Sequence, residues 1–245
     1  MATRLVHLVI DAADPLSLAN FWAQALGWQV SIEGPDEVVA SPEGFEYPGT
    51  SALPLVFVPV AEPKTVKNRV HLDLTSSSPK DQATQVDRLL ATGASRLDIG
   101  QGTVPWEVLA DPEGNEFCVL EPRPAYGDTG PVAAVVVDCA DPQTMASFWT
   151  EAAGWQITRT EQNLIGLRSH AGTGPYLEML TSTDPKLAKN RVHLDVAPFI
   201  STGVDAEVAR LRAAGAGPAD VGQGDQDWVV LTDPDGQEFC VLTPR

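Results

Sequence analysis

The heptapeptide Lys67-Asn68-Arg69-Val70-His71-Leu72-Asp73 returns without change as Lys189-Asn190-Arg191-Val192-His193-Leu194-Asp195. Seven identical residues 122 positions apart, in a chain of 245, point to a tandem duplication. Flanking matches extend it. Gly100-Gln101-Gly102 and Trp106 return as Gly222-Gln223-Gly224 and Trp228. Asp111-Pro112-Glu113-Gly114-Asn115-Glu116-Phe117-Cys118-Val119-Leu120 returns, with two changes, as Asp233-Pro234-Asp235-Gly236-Gln237-Glu238-Phe239-Cys240-Val241-Leu242. Upstream, Asp14-Pro15, Phe21-Trp22 and Gly27-Trp28 match Asp141-Pro142, Phe148-Trp149 and Gly154-Trp155 at a spacing of 127, so the second copy has lost five residues in between. Two copies are too few for a solenoid, and two similar domains are expected.

Each copy has an inner pattern. Leu5–Ile10 is apolar and β-branched and predicts a strand. Asp14 reads as a helix N-cap with Pro15 in the first turn. Leu18, Phe21, Trp22, Ala25 and Leu26 recur at spacings of three and four, a buried helical face, and Gly27 ends it. Short strands follow at 29–33, 37–40 and 55–60. The unit then repeats: a strand at 69–74, a helix at 79–92, strands at 96–99, 107–110 and 116–120, with Asp111–Asn115 as a tight turn. The fold class predicted is α+β, with four βαβββ modules per chain.

Composition narrows the function. Sixteen Lys+Arg stand against 33 Asp+Glu, a net charge of −17, divided almost evenly between residues 1–123 and 124–245. Neither half is a basic module, which argues against nucleic acid as a partner. No apolar run approaches the roughly 20 residues of a membrane span. The start lacks a secretory pattern, and the odd count of Cys118, Cys139 and Cys240, with no CxxC, argues against a disulfide framework. A soluble, cytoplasmic protein is expected.

His7-Leu8 in a strand, Asp14-Pro15, a helix and Leu26-Gly27-Trp28, followed later by Asp111-Pro112-Glu113-Gly114-Asn115 before a last strand, resemble the vicinal oxygen chelate superfamily of glyoxalases, bleomycin-resistance proteins and dioxygenases, and most of all its actinobacterial glyoxalase-like domains. The resemblance implies two glyoxalase-like half-barrel cups: domain 1 at 1–123 (modules 1–62 and 67–123), a linker at 124–130, and domain 2 at 131–245 (modules 131–183 and 189–245). Modules could pair within a copy or be exchanged between copies. A monomer acting as a pseudo-dimer is expected.

The resemblance also implies metal-ligand positions on the first and fourth strands of each module. In copy 1 these are His7, Val56, His71 and Cys118; in copy 2 they are Ala134, Glu178, His193 and Cys240. Cys stands where metal-dependent relatives place Glu. His7, His71 and Cys118 are therefore the candidate ligands for one divalent metal (zinc, iron, manganese or nickel) in domain 1, with His7 and His71 expected close together. The alternative is a pair of strand histidines and a small buried thiol. His71, Asp73, Trp106, Glu178, His193 and Trp228 are candidates for contact with a small-molecule ligand. On alternating strand geometry Asp73 shares a face with His71, and Asp195 with His193, where an Asp could orient an imidazole or belong to a structural polar network. The Lys-Asn-Arg segments could meet an anionic ligand or make an interdomain salt bridge. Two functions remain open: a metal-free binding protein, or a metal-dependent lyase, isomerase or dioxygenase.

Overall fold

The computed structural model describes residues 3–222, 224 and 226–244. Module 1 runs β1 (Thr3–Ala12), α1 (Pro15–Leu26), β2 (Gln29–Gly34), β3 (Glu37–Ser41) and β4 (Leu55–Pro59). Module 2 runs β5 (Val70–Leu74), α2 (Pro79–Ala91), β6 (Ser95–Arg96), β7 (Glu107–Ala110) and β8 (Glu116–Val119). One turn of 3-10 helix, Pro124–Tyr126, lies in the linker. Module 3 is β9 (Val132–Cys139), α3 (Pro142–Ala153), β10 (Gln156–Thr160), β11 (Leu164–Arg168) and β12 (Tyr176–Thr181). Module 4 is β13 (Val192–Pro198), α4 (Val204–Ala213), β14 (Gly217–Pro218), β15 (Val229–Thr232) and β16 (Glu238–Val241). The α+β pattern of four βαβββ modules is present in full.

Local chemistry places the helices where the sequence indicates. The Asp14 carboxylate accepts from the Ser17 amide at 3.0 Å, Pro15 opens α1, and Gly27 closes it in the left-handed region at φ 70°. Asp141, Pro142 and Gly154 do the same for α3. The Trp22 indole donates to Asp111 in the hairpin of module 2, and Trp149 to Asp233 in that of module 4. Trp22 and Trp149 are therefore core residues that also tie module to module.

The modules are exchanged between copies. One eight-stranded sheet has the order β14-β15-β16-β13-β1-β4-β3-β2, the other β10-β11-β12-β9-β5-β8-β7-β6. Module 1 thus pairs with module 4 and module 2 with module 3, so neither cup coincides with a sequence copy. The joints are antiparallel: β1 on β13, with His7 opposite Asp195, and β5 on β9, with His71 opposite Val136. Alternation sorts the side chains. Leu8, Ile10, Val70, Leu72, Val192 and Leu194 face the helices in one continuous core shared by both sheets. The opposite faces are concave and form the two cups. One carries Val9, Val39 and Val56; the other carries Val108, Cys118, Leu120, Tyr126 and Ala133.

Candidate functional site

The exchange redistributes the candidate ligands, and it corrects one expectation. His7 stands on β1 in the first cup, whereas His71 and Cys118 stand on β5 and β8 of the other sheet. They cannot hold one metal together, because a strand from copy 1 closes against a strand from copy 2. The expected metal site of domain 1 is accordingly split between the cups. His71, Asp73, Trp106 and Glu178 belong to the cup of modules 2 and 3. His193 and Trp228 belong to the cup of modules 1 and 4, together with His7.

Each cup has the same three-residue floor. His71, Asp73 and Cys118 offer ligand atoms within 4.8 Å of one another, and so do His193, Asp195 and Cys240. The reason is register: Asp73 lies beside Cys118 and Asp195 beside Cys240 on parallel neighbouring strands, with each His two residues earlier on the same face. The imidazoles are not oriented by these carboxylates. His71 Nε2 is 3.6 Å from Asp73 Oδ1, and His193 Nε2 is 3.8 Å from Asp195 Oδ1, both beyond hydrogen-bond length. The carboxylates instead accept from the thiols. Burial, with the neighbouring Asp second, pushes the Cys118 and Cys240 thiols far above their usual range, so both are neutral SH groups at physiological pH. Burial also raises Asp73, against the lowering influence of His71.

Around this common floor the cups diverge. In the cup of modules 1 and 4, His7 is added: its Nδ1 is 3.6 Å from Asp195 Oδ2, and both residues are buried. The wall beside it is apolar, made by Val9, Val39 and Val56. The loop at 42–54 covers it, with the Tyr47 ring set edge-on to His7 at 5.7 Å and its hydroxyl donating to the Val6 carbonyl. Among the described residues of this cup, Asp195 Oδ1 and His193 Nδ1 are buried without a hydrogen-bond partner; Asp73 Oδ1 is unpartnered in the other cup as well, so the orphaned imidazole nitrogen is what is particular to this one. Two imidazoles thus converge on one carboxylate with unspent polar atoms. Donor atoms around a tetrahedral zinc stand roughly 3.5 Å apart, close to the spacings seen here. His193, Asp195 and Cys240 are a set that a borderline-soft divalent ion fits, with His7 beside Asp195 at its edge.

In the cup of modules 2 and 3, Ala134 stands in place of His7, and Glu178 in place of Val56. Tyr126 enters from the linker, and its hydroxyl donates to Glu178 at 3.0 Å. Arg159 donates to the same hydroxyl at 2.7 Å and to Glu178 at 3.2 Å. Burial pushes Glu178 up to about 7 despite the Tyr126 hydrogen bond and the Arg159 charge, which oppose the shift. Burial and the Glu178 charge push Tyr126 up to about 12. Tyr126 and Arg159 were not singled out from sequence. The signal available was Glu178 itself, a carboxylate in the otherwise apolar run Tyr176–Leu180, which demanded a partner.

Trp106 and Trp228 sit just before β7 and β15 rather than within them. Trp106 packs on the concave cluster of its cup under the Arg123 guanidinium, 5.5 Å from the ring centre, while Trp228 is 37% exposed. The Lys-Asn-Arg segments line a cavity of roughly 580 Å³ between the sheets. Their cations are already paired across copies: Lys67 with Asp138, Arg69 with Asp235, Lys189 with Asp11 and Arg191 with Glu113. These are the salt bridges between copies, not an open anion site.

The family follows from these features. A duplicated βαβββ chain with paired cups is the arrangement of glyoxalase-like domains. The sequence profile of the family described as "Glyoxalase-like domain" matches residues 7–120 and 134–242, so the chain belongs to that family. Glyoxalase I from Zea mays superposes with a TM-score of 0.69 at 13% identity, covering 99% of this chain and 92% of that one. A point variant of the maize enzyme gives 0.65 at 13% identity, covering 99% and 94%. A glyoxalase/bleomycin resistance protein/dioxygenase family enzyme from Burkholderia phytofirmans PsJN aligns at 19% identity with a TM-score of 0.36, covering 45% of this chain and 92% of that one. At such identities the likeness to the maize enzyme is one of fold. No curated protein matches the chain in sequence. No helix among the described residues is long and apolar enough to cross a membrane.

Proposed function

We propose that the protein binds a small molecule in the cup of modules 1 and 4, over a floor of His7, His193, Asp195 and Cys240. The observation that carries this reading is the pair of buried, unpartnered polar atoms there, Asp195 Oδ1 and His193 Nδ1. Unpaired polar atoms cost about 1–3 kcal/mol each in a closed interior, and a ligand with complementary groups offsets that cost. The valine wall and Tyr47 suit an apolar or aromatic body, and the Asp195 carboxylate suits a cationic or hydrogen-donating head.

A second reading rests on the same donors. A divalent ion held by His193, Asp195 and Cys240, with His7 beside Asp195, would act as a Lewis acid on substrate oxygens, in a lyase, isomerase or dioxygenase. Metal analysis separates the two. Purified protein carrying less than a tenth of an equivalent of zinc, iron, manganese or nickel, yet giving thermal-shift hits among small aromatic cations that His7→Leu abolishes, supports the first reading. Near-stoichiometric metal lost in His193→Leu supports the second. Neither metal nor hits would sink both. We further propose a monomeric, cytoplasmic protein: four modules already complete two cups, and the three buried free cysteines suit a reducing compartment. A dimer mass by light scattering at micromolar concentration would overturn the monomer.

A further inference from the structure

The cup of modules 2 and 3 is closed by a residue that belongs to no module. Tyr126 is carried in by a single helical turn of the linker and is 4% exposed. Its ring lies edge-on to Tyr176 at 5.7 Å, with the Arg159 guanidinium over its face at 5.4 Å. Its hydroxyl is read in both senses, as donor to Glu178 and as acceptor from Arg159. A site that satisfies both roles of a hydroxyl with ionisable groups discriminates a phenol from a ring without one.

The wall is shaped for that ring. Gly166 occupies the position of Val39 in the other cup. A Cβ there would stand 3.3 Å from Arg159 Cβ and from a Tyr176 ring carbon, and 3.7 Å from Glu178 Cγ, so a side chain on β11 at this point would press on Arg159 and Tyr176 and move them by a few tenths of an ångström. Arg159, Tyr176 and Glu178 replace Ile32, Pro54 and Val56 of the first copy, so the phenol-reading groups are particular to this cup. The linker's own backbone bonds are local: Tyr126 to Arg123, Gly127 to Pro124, Thr129 to Tyr126. Outside the turn, its polar ties are the Arg168 guanidinium on Asp128 and the Thr75 hydroxyl on the Gly130 carbonyl, with Arg123 stacked on Trp106 before it.

We infer that this cup is a receptor for a para-substituted phenol, and that Tyr126 fills it in place of a free ligand. The occupied and open states differ by movement of the linker turn, with the para substituent of the ligand leaving the cup along the path the Tyr126 side chain now takes. A tethered ring competes at roughly millimolar effective concentration, so a free phenol must be supplied above that level. The inference does not depend on the function proposed for the other cup.

The test uses the full chain and chymotrypsin, which cuts after Tyr126 only when the turn is out of the cup. With p-cresol at about 10–50 mM, cleavage at the Tyr126–Gly127 bond should accelerate at least fivefold, while cleavage elsewhere is unchanged. Benzyl alcohol, an isomer with its hydroxyl one carbon off the ring, should leave the rate as it was. In Tyr126→Ala, calorimetry should show saturable p-cresol binding at least tenfold tighter than that of benzyl alcohol. No acceleration in the unaltered chain overturns the inference, even if Tyr126→Ala binds p-cresol, because that would show only a fillable hole. Equal responses to the two isomers, or acceleration at every site, overturn it too. If Tyr126→Ala fails to fold, the unaltered chain decides alone.

Discussion

The two cups have one floor and opposite surroundings. His193, Asp195 and Cys240 repeat His71, Asp73 and Cys118 in type and register. Above the floor of modules 1 and 4 stand a third nitrogen ligand, His7, and a wall of valines. Above the other stand an alanine, a glycine and a buried carboxylate that holds a tyrosine from the linker. The coverings differ as well. The loop at 42–54 closes the first cup and exceeds its counterpart by the five residues missing from the second copy; the linker closes the second. Duplication has kept the strand that builds both floors and varied the strands that face it. Because modules are exchanged, each cup combines one such constant half with one variable half, so the copies could diverge without disturbing the floor.

The strongest way to break this difference is to transfer the carboxylate. Val56→Glu places the charge of Glu178 into the first cup, where Val9 and Val39 offer no hydrogen bonds and Ile32 stands where Arg159 stands in the other cup. An ionised carboxylate buried without a partner should cost about 3–5 kcal/mol. Its pKa in the folded chain is raised, so the cost should be absent below about pH 4 and grow as pH rises. Denaturant melts at pH 4 and pH 8 read this directly. Equal destabilisation at both values, or none at pH 8, would show that the first cup is wetter than its valine wall implies.

Much of this was legible. The seven-residue repeat, the Asp-Pro caps, the left-handed Gly27 and Gly154 and the Asp-Pro-x-Gly hairpins are local signals, and local chemistry decided them. Module exchange was not legible, because Val70–Leu74 and Val192–Val196 are nearly identical in sequence and either could pair with β1 as far as side-chain preference goes. That choice is made by the whole chain, with tryptophan ties between the modules of each copy and salt bridges across copies, and it is what separates His7 from His71. Tyr126 was hidden for a related reason. Pro122–Pro131 reads as a linker by its Pro, Gly and Asp content, and linkers ordinarily place nothing in a core. Glu178 was recognised as a site residue, but its partner came from a segment read as punctuation.

The second cup can be sharpened through pH. Burial raises Glu178 from its ordinary value of 4.5 to about 7. The folded state therefore holds this proton more tightly than the unfolded chain does, and the resulting stability is fully present below about pH 4.5 and lost as pH climbs through 7. The loss should be on the order of 2–3 kcal/mol, less to the extent that Arg159 holds the ionised form in place. Glu178→Gln, which cannot ionise, should flatten the stability profile over this window, and Val56→Ala in the other cup should leave the slope alone. Parallel profiles for Glu178→Gln and the unaltered chain would show that Glu178 is already ionised in the fold at low pH.

The smallest effect concerns the matched tryptophans at the two rims. Trp106 packs on the concave apolar cluster of its cup and carries the Arg123 guanidinium on its face, and Arg123 in turn is bound to Glu121 at 2.7 Å just before the linker. Trp106→Ala should therefore cost about 1 kcal/mol or somewhat more, combining part of an aromatic burial with a cation–π contact. It should also loosen the linker turn, which chymotryptic cleavage after Tyr126 would register. Trp228 is 37% exposed, so Trp228→Ala should change stability by less than about 0.5 kcal/mol. Trp228 stands just before β15 in the sheet of the cup proposed to take the ligand, and a flat molecule reaching its indole would stack on it. A ligand of that cup should quench Trp228 fluorescence and lose affinity severalfold in Trp228→Ala while leaving Trp106→Ala unaffected. The reverse ranking, with Trp106 governing affinity, would move the working site to the cup that Tyr126 now fills.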